Sequence, residues 1–265
     1  MNNSIFGLPE TIIFCKKCVE SNQRFMGSTQ LDIRKNEKKL GVGFDDKGVC
    51  LSCRYFEKKD QVNWDEREKE LQDILSRHRK QDGSYDVLIP GSGGKDTQYL
   101  SYILKYKYKM NPLTVTWAPH MYTEIGLQNF NTWIANGFDN ILHTPNGKVH
   151  RKLTQLAFKN LLYPFQPFVI GQYNLPPKVA LKHGIKLIVS GDATQERGVG
   201  GNIHSEKKVS SQLYSIKNKD RNNLFFGGVQ ISDLEKYGIK KKDLNQYIPI
   251  TTEEVEESRL ERINL

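Results

Sequence analysis

Four cysteines are the whole thiol content of the 265-residue sequence, and they form two Cys-x-x-Cys pairs, Cys15/Cys18 and Cys50/Cys53. Two such pairs supply four thiolates, the donor set of a closed tetrahedral zinc site. A redox-active dithiol or an iron centre would use the same residues, but the paired short spacings favour structural zinc. The second chemical object is the segment Pro90, Gly91, Ser92, Gly93, Gly94, Lys95, Asp96, Thr97. Its glycines let the backbone come close to an anion. The hydroxyls of Ser92 and Thr97 add donors, and Lys95 adds a point charge. The spacing is that of neither a Walker A loop nor a dinucleotide G-x-G-x-x-G turn. A merely structural Gly-Gly turn would give Lys95, Asp96 and Thr97 no purpose.

A third segment, Ser190-Gly191-Asp192-Ala193-Thr194-Gln195-Glu196, is followed by Gly198, Gly200, Gly201 and Asn202. Asp192 and Glu196 suit Mg²⁺ held between phosphates. Equally, Asp192 would serve as a helix cap and Glu196 as a solvated side chain.

These residues need elements to position them. Residues 11–58 read as a zinc-ribbon-like module, too small to hold together by apolar burial without a metal. A helix is predicted from Trp64 to Arg79, with Leu71, Ile74, Leu75 and His78 on one face. Strands and helices then alternate. The strands are Tyr85–Pro90, Leu113–Trp117, Asn140–His143 and Lys186–Ser190. The helices are Asp96–Tyr108, Thr123–Asn136 with Leu127, Phe130 and Ile134 inward, Lys148–Leu162 and Pro177–His183. Short apolar runs separated by helices predict a parallel α/β sheet covered on both faces, over 62–231. The glycine segment thus follows the first strand and opens a helix, whose N-terminal amides and dipole favour phosphate. The Ser190 segment falls at a strand end, where ligands bind in such sheets. Residues 198–228 read as loop or lid, and 232–265 as a C-terminal helical segment, acidic from Glu253 to Glu261.

Composition excludes little. Apolar residues make up 37% and aromatics 10%, so an ordinary soluble core is expected. The longest uncharged stretch, Asn160 to Pro177, contains four prolines and is not a membrane span. The N-terminus lacks a basic start and a long apolar run, so no signal peptide is expected and the cytoplasm is the expected compartment. There, paired cysteines favour metal over disulfide. The net charge of +9 gathers at Arg34–Lys39, Lys148–Lys159, Lys207/Lys208, Lys217–Arg221 and Lys240–Lys242. It suits a phosphate-bearing substrate. No basic helix carries interleaved aromatics, so nucleic acid is not the expected partner.

The run Ser92-Gly93-Gly94-Lys95-Asp96-Thr97 resembles S-G-G-x-D-[ST], the pyrophosphate loop of the PP-loop ATP pyrophosphatase group. That group includes NAD synthetase, GMP synthetase, asparagine synthetase and the tRNA-thiolating enzymes, and cleaves ATP between its α and β phosphates. Together with the cysteine pairs, Asp65–Glu70, His120–Gly126 and Glu196–Asn202, the loop resembles the N-acetyl sugar amidotransferases of bacterial surface-polysaccharide (lipopolysaccharide, O-antigen) biosynthesis. The resemblance covers roughly residues 11–202. The family's loop usually ends in Ser where this chain has Thr97, and the family continues further past this region.

The resemblance implies an adenine-nucleotide α-hydrolase-like fold and an ATP-dependent exchange of amide oxygen for nitrogen, with ATP, Mg²⁺ and structural Zn²⁺ as cofactors. It makes Ser92, Gly93, Gly94 and Thr97 the pyrophosphate holders and Lys95 the group that offsets the leaving charge. Asp96, with Asp192 or Glu196, would place Mg²⁺. Trp117 would lie near adenine, and His120 and Glu124 on the sugar side, although His120 reads equally as a loop residue. Gly200, Gly201 and Asn202 extend the substrate side. A glutaminase needs a reactive cysteine, and all four here are paired. A separate glutaminase partner supplying ammonia is therefore implied, beside a nucleotide-linked sugar. Two other readings stand. A tRNA sulfur-transferase shares the loop and suits the positive charge, but generally wants cysteines that residues 54–265 lack. A non-catalytic zinc-ribbon binding protein would carry the loop as a vestige.

Overall fold

The computed structural model describes residues 8–24, 41–191, 209, 211 and 214–265, with Lys59 described by its backbone alone. The cysteine module leads into helix α1 (Leu51–Lys59) and helix α2 (Trp64–His78). Asn63 caps α2 by accepting from the Glu66 amide, which satisfies one of the donors a helix start leaves open. The alternating part follows as β1 (Val87–Pro90), α3 (Lys95–Tyr102), β2 (Pro112–Trp117), α4 (Glu124–Ala135), β3 (Asp139–His143), α5 (Gly147–Leu161), α6 (Gln166–Lys182) and β4 (Leu187–Ser190). Beyond residue 213 come β5 (Ser215–Ile216), the hairpin β6 (Phe225–Phe226) and β7 (Val229–Gln230), β8 (Ile250–Thr251), α7 (Thr252–Ser258) and β9 (Glu261–Asn264). Three short 3₁₀ segments, Asn218–Asn223, Ile231–Tyr237 and Lys241–Leu244, lie among them.

The main sheet runs β3-β2-β1-β4-β9, and every pairing in it is parallel. Strand side chains alternate between faces. Leu88 and Ile188 join a core with α5, α6 and the C-terminal region. Val87, Ile89, Leu187 and Val189 join a core with Leu71 and Leu75 of α2 and Leu100 of α3. Helices therefore cover both faces, as the continuous apolar runs predict. Burying one such aliphatic side chain contributes about 1.5–3 kcal/mol.

Residues 214–228, read as loop or lid, hold β5, a 3₁₀ segment and β6, with Tyr214, Leu224 and Phe226 buried in the core, and three further elements differ from the sequence expectation. The last is the most consequential: the segment from Ser232, read as helical, ends in β9, which extends the main sheet beside β4. Four residues reading Glu-Arg-Ile-Asn carry too few apolar side chains to signal a strand. Helix α6 starts at Gln166, well ahead of Pro177, and runs through Pro176 and Pro177. Proline ordinarily ends a helix, and here packing of Ile170, Leu175, Val179 and Ala180 into the core outweighs it. On α4, the buried residues are Phe130 and Trp133, whereas Leu127 is exposed.

No described helix is long and apolar enough to cross a membrane.

Candidate functional site

In the sheet order, β1 leads to β2 and β3 on one side, while β4 and β9 lie on the other. The carboxyl ends of β1 and β4 thus border the point where the order reverses, the usual ligand crevice of an open α/β sheet. Pro90, Gly91 and Ser92 leave β1 here, and Ser190 and Gly191 leave β4. They line a cleft of about 260 Å³ together with Thr97, Val115, Trp117, Gln172, Tyr173, Leu175, Pro176 and Arg262.

The loop holds its shape through several contacts. The Gly91 amide donates to Val115 O at 2.9 Å, carrying the β1–β2 ladder one residue further. The chain then curls over the start of α3 so tightly that a Cβ at Gly91 would lie 2.0 Å from Thr97 Cγ2. Gly93 has φ +78°, and its would-be Cβ faces the α4 backbone, 2.6 Å from Phe130 Cα. The Gln98 side chain ties the turn down by donating to Gly93 O at 2.7 Å. Gly94 is the N-cap of α3 and gives no side-chain cap. The first bond of α3 is Gln98 N to Gly94 O at 3.0 Å, so donors of the first turn remain for an outside acceptor.

Among the expected site residues, Pro90, Gly91, Ser92, Thr97, Trp117 and Gly191 share the cleft wall. Gly93 and Gly94 shape the turn behind it. Lys95 and Asp96 form an exposed ion pair at 2.6 Å. Glu124 opens α4 in an exposed position. His120 is outside the cleft lining and stacks on His150, ring centroids 4.5 Å apart. Asp192, Glu196, Gly200, Gly201 and Asn202 lie outside the described residues.

Two features escape the sequence reading. Arg262 of β9 is buried, yet lines the cleft. Its Nε donates to Ser190 Oγ at 3.1 Å, and its guanidinium lies over the rings of Tyr173 at 5.3 Å and Tyr214 at 5.8 Å. A guanidinium stays charged even when buried, so it brings fixed positive charge to the crevice. The second is the aromatic cluster around Trp117. His143 lies 4.8 Å from its ring and Tyr247 5.1 Å. His150 Nδ1 and the Tyr247 hydroxyl are 2.7 Å apart. Burial, then the neighbouring His120, lowers His150 to about 4, so the ring is neutral near pH 7. Burial also lowers His120 and His143. No spacing rule links residues 117, 150 and 247, so only the fold brings them together.

The cysteines form a separate site. Their four sulfurs lie within 4.8 Å of one another, with Cys15–Cys53 at 4.0 Å and Cys18–Cys50 at 3.7 Å. Sulfurs about 2.3 Å from a tetrahedral ion sit roughly 3.8 Å apart, so the cluster fits zinc. The first pair lies in a loop. The second begins at the N-cap of α1, where Cys50 Sγ accepts from Cys53 N. Backbone amides already point at sulfur: Lys17 N and Cys50 N at Cys15, 3.3 and 3.2 Å away, and Glu20 N at Cys18, 3.4 Å away. Burial works against ionising Cys15, but the amides of Cys50, Lys17 and Cys18 outweigh it and lower the thiol to about 6. Burial raises Cys50 and Cys53. One thiolate forms readily and further negative charge calls for a cation.

No family model matches the chain. A stretch of 83 residues is 31% identical to an uncharacterized protein of Methanocaldococcus jannaschii, covering 31% of this chain and 30% of that protein. The match thus spans under a third of the relative's length. Among solved structures, an NH3-dependent NAD synthetase from Campylobacter jejuni, in complex with nitrate, aligns with 58% of this chain and 71% of its own at 12% identity and TM-score 0.37. That score is too low to carry the fold, which rests on the sheet order and register above.

Proposed function

We propose that the chain is an ATP-dependent amidotransferase that converts the N-acetyl group of a nucleotide-linked sugar to an acetamidino group. The single observation that supports this most is the uncapped glycine turn at the reversal point of the parallel sheet, which offers main-chain donors to a diphosphate. Ser92, Gly93, Gly94 and Thr97 hold the β and γ phosphates of ATP, and Trp117 borders the adenine side. Asp96, with Asp192 or Glu196, would hold Mg²⁺, which would supply neutralisation of phosphate charge.

The acetamido oxygen attacks the α-phosphorus, and the bond to the β-phosphate oxygen breaks. Pyrophosphate leaves with the electron pair, its charge met by the turn's amides, by Lys95 and by the field of Arg262. The amide N–H proton goes to solvent, and the product is an O-adenylyl imidate. Ammonia adds to its carbon, AMP departs with the C–O electron pair, and the ammonia's surplus proton goes to solvent. An amide oxygen alone is a poor leaving group, which is why adenylylation precedes nitrogen entry. Ammonia comes from a separate glutaminase, because residues 54–265 contain no cysteine nucleophile. A cytoplasmic place in surface-glycan synthesis follows from this substrate.

The test is incubation with ATP, ammonia and a panel of nucleotide-activated acetamido sugars. AMP, pyrophosphate and the mass change of O replaced by NH support the reading. ADP with orthophosphate overturns it. AMP release that depends on tRNA and not on sugar replaces it with a thiolation chemistry.

A further inference from the structure

Basic stretches far apart in sequence meet at a second opening. A groove of about 360 Å³ is lined by Asn218, Arg221, Asn222, Lys241, Asn245 and Ile248. It shares no lining residue with the cleft at the glycine turn. Arg221 comes from one 3₁₀ segment and Lys241 from another, and Lys241 Nζ donates to Asn222 Oδ1 at 3.2 Å to join them. A third cation approaches from α6, where Lys178 Nζ donates to Asn245 O. One turn earlier, Asn174 Nδ2 donates to Tyr247 O at 2.7 Å. This row at i and i+4 holds residues 245–247 against the helix.

The cations here are Arg221, Lys241 and Lys178; the Glu253 carboxylate meets the Asn218 amide, and Asp220 lies beside Arg221 in the same 3₁₀ segment. Glu254 reaches Arg221 Nη2 at 3.6 Å, but the same carboxylate accepts from the Thr251 amide at 2.6 Å and the Thr251 hydroxyl at 3.0 Å. Asp243 is turned to the Lys240 amide at 2.9 Å. Burial, and then the charge of Arg221, lowers Lys178 to about 8, with Glu254 acting in the opposite direction. Arg221 Nη2 donates to Pro249 O at 3.4 Å, while its Nε is buried without a hydrogen-bond partner among the described residues.

We propose that this groove is a second anion site, which takes the phosphate or pyrophosphate group of a ligand other than the nucleotide assigned to the glycine turn. A guanidinium and an ammonium beside three carboxamides match an anion with several acceptor oxygens. The confined volume suits a small molecule. A nucleic-acid strand would instead call for cations repeated along a track, with aromatic platforms.

The test is calorimetric titration with inorganic pyrophosphate of the unmodified chain and of the R221Q/K241Q variant. A binding component of the unmodified chain is expected to weaken on the order of tenfold for each charge-assisted contact removed. The exposed single change Lys241→Gln gives the smaller step even if the double variant folds poorly. ATP binding by the same variants stays unchanged. Identical isotherms in all three proteins overturn the proposal. A tRNA that displaces pyrophosphate from the unmodified chain and fails to bind the double variant overturns the small-ligand assignment in favour of nucleic acid. The glycine-turn reading is judged separately: if ATP does not bind, this component persists, and if this component is missing, ATP binding is unaffected.

Discussion

Replacing Gly93 with alanine tests whether the turn's shape is set by α4. At φ +78° the new side chain enters the left-handed region, which costs an L-residue about 1–2 kcal/mol. Its Cβ would lie 2.6 Å from Phe130 Cα, 3.0 Å from Phe130 N and 3.2 Å from Asn129 O. These are backbone atoms, so no rotamer change relieves the overlap, and forced repacking adds about 1–3 kcal/mol. The expected loss is about 2–5 kcal/mol. At about 2–4 °C per kcal/mol, thermal unfolding should fall on the order of 10 °C. Gly94→Ala is the control, because Gly94 has φ −69° and its nearest neighbour would be Ser92 Oγ at 3.6 Å. That change should move stability by less than about 1 kcal/mol. If Gly93→Ala escapes by pushing turn and helix apart, the cost moves to function, since a misplacement of about 1 Å costs on the order of 100-fold in rate. ATP–pyrophosphate exchange reads that outcome. A Gly93→Ala protein with unchanged unfolding temperature and unchanged exchange would refute the reasoning.

Other perturbations have equally definite outcomes. His150 is held near 4 in the folded chain, against about 6.5 when exposed, so the unfolded state binds the proton first as pH falls. Stability is full above about 6.5 and is lost by about 3 kcal/mol as pH drops toward 4. His150→Gln should flatten this stretch of the profile, and an unaltered profile counts against it. Purified protein should carry zinc, and Cys50→Ser should release it and expose residues 41–59 to trypsin; an iron chromophore, or full protection without metal, sinks the assignment. Arg262→Met and Ser190→Ala, measured singly and together by urea unfolding, should show a coupling of about 1–3 kcal/mol. Additive effects would mean that their hydrogen bond contributes nothing.

Local chemistry made much of the architecture legible. Thr123 was readable as the start of a helix, and its hydroxyl caps α4 by accepting from Gly126 N at 3.0 Å. The four strands before residue 191 declare themselves by apolar runs, and the glycine turn by falling between a strand and a helix. What stayed hidden depends on contacts distant in sequence. His78 looked like a covered face residue, and its partner proved to be Glu261 at 3.3 Å. Arg262 carried no signal of its own, because its position beside Ser190 follows from pairing of β9 with β4. The groove behind Lys178 needed two basic runs folded against one helix, and composition saw only their total charge. At α6, proline signals misled because local propensity lost to tertiary packing.

Strand β9 also bears on how the molecule comes to be finished. Ser190 and Ile263 touch across 73 positions of chain, so the glycine turn emerges from the ribosome long before the strand that brings Arg262 to the crevice. A nascent or prematurely stopped chain would own the glycine turn yet lack the guanidinium and the β9 edge of the sheet. Assembly order therefore withholds part of the crevice's positive field until β9 has been synthesised and docked.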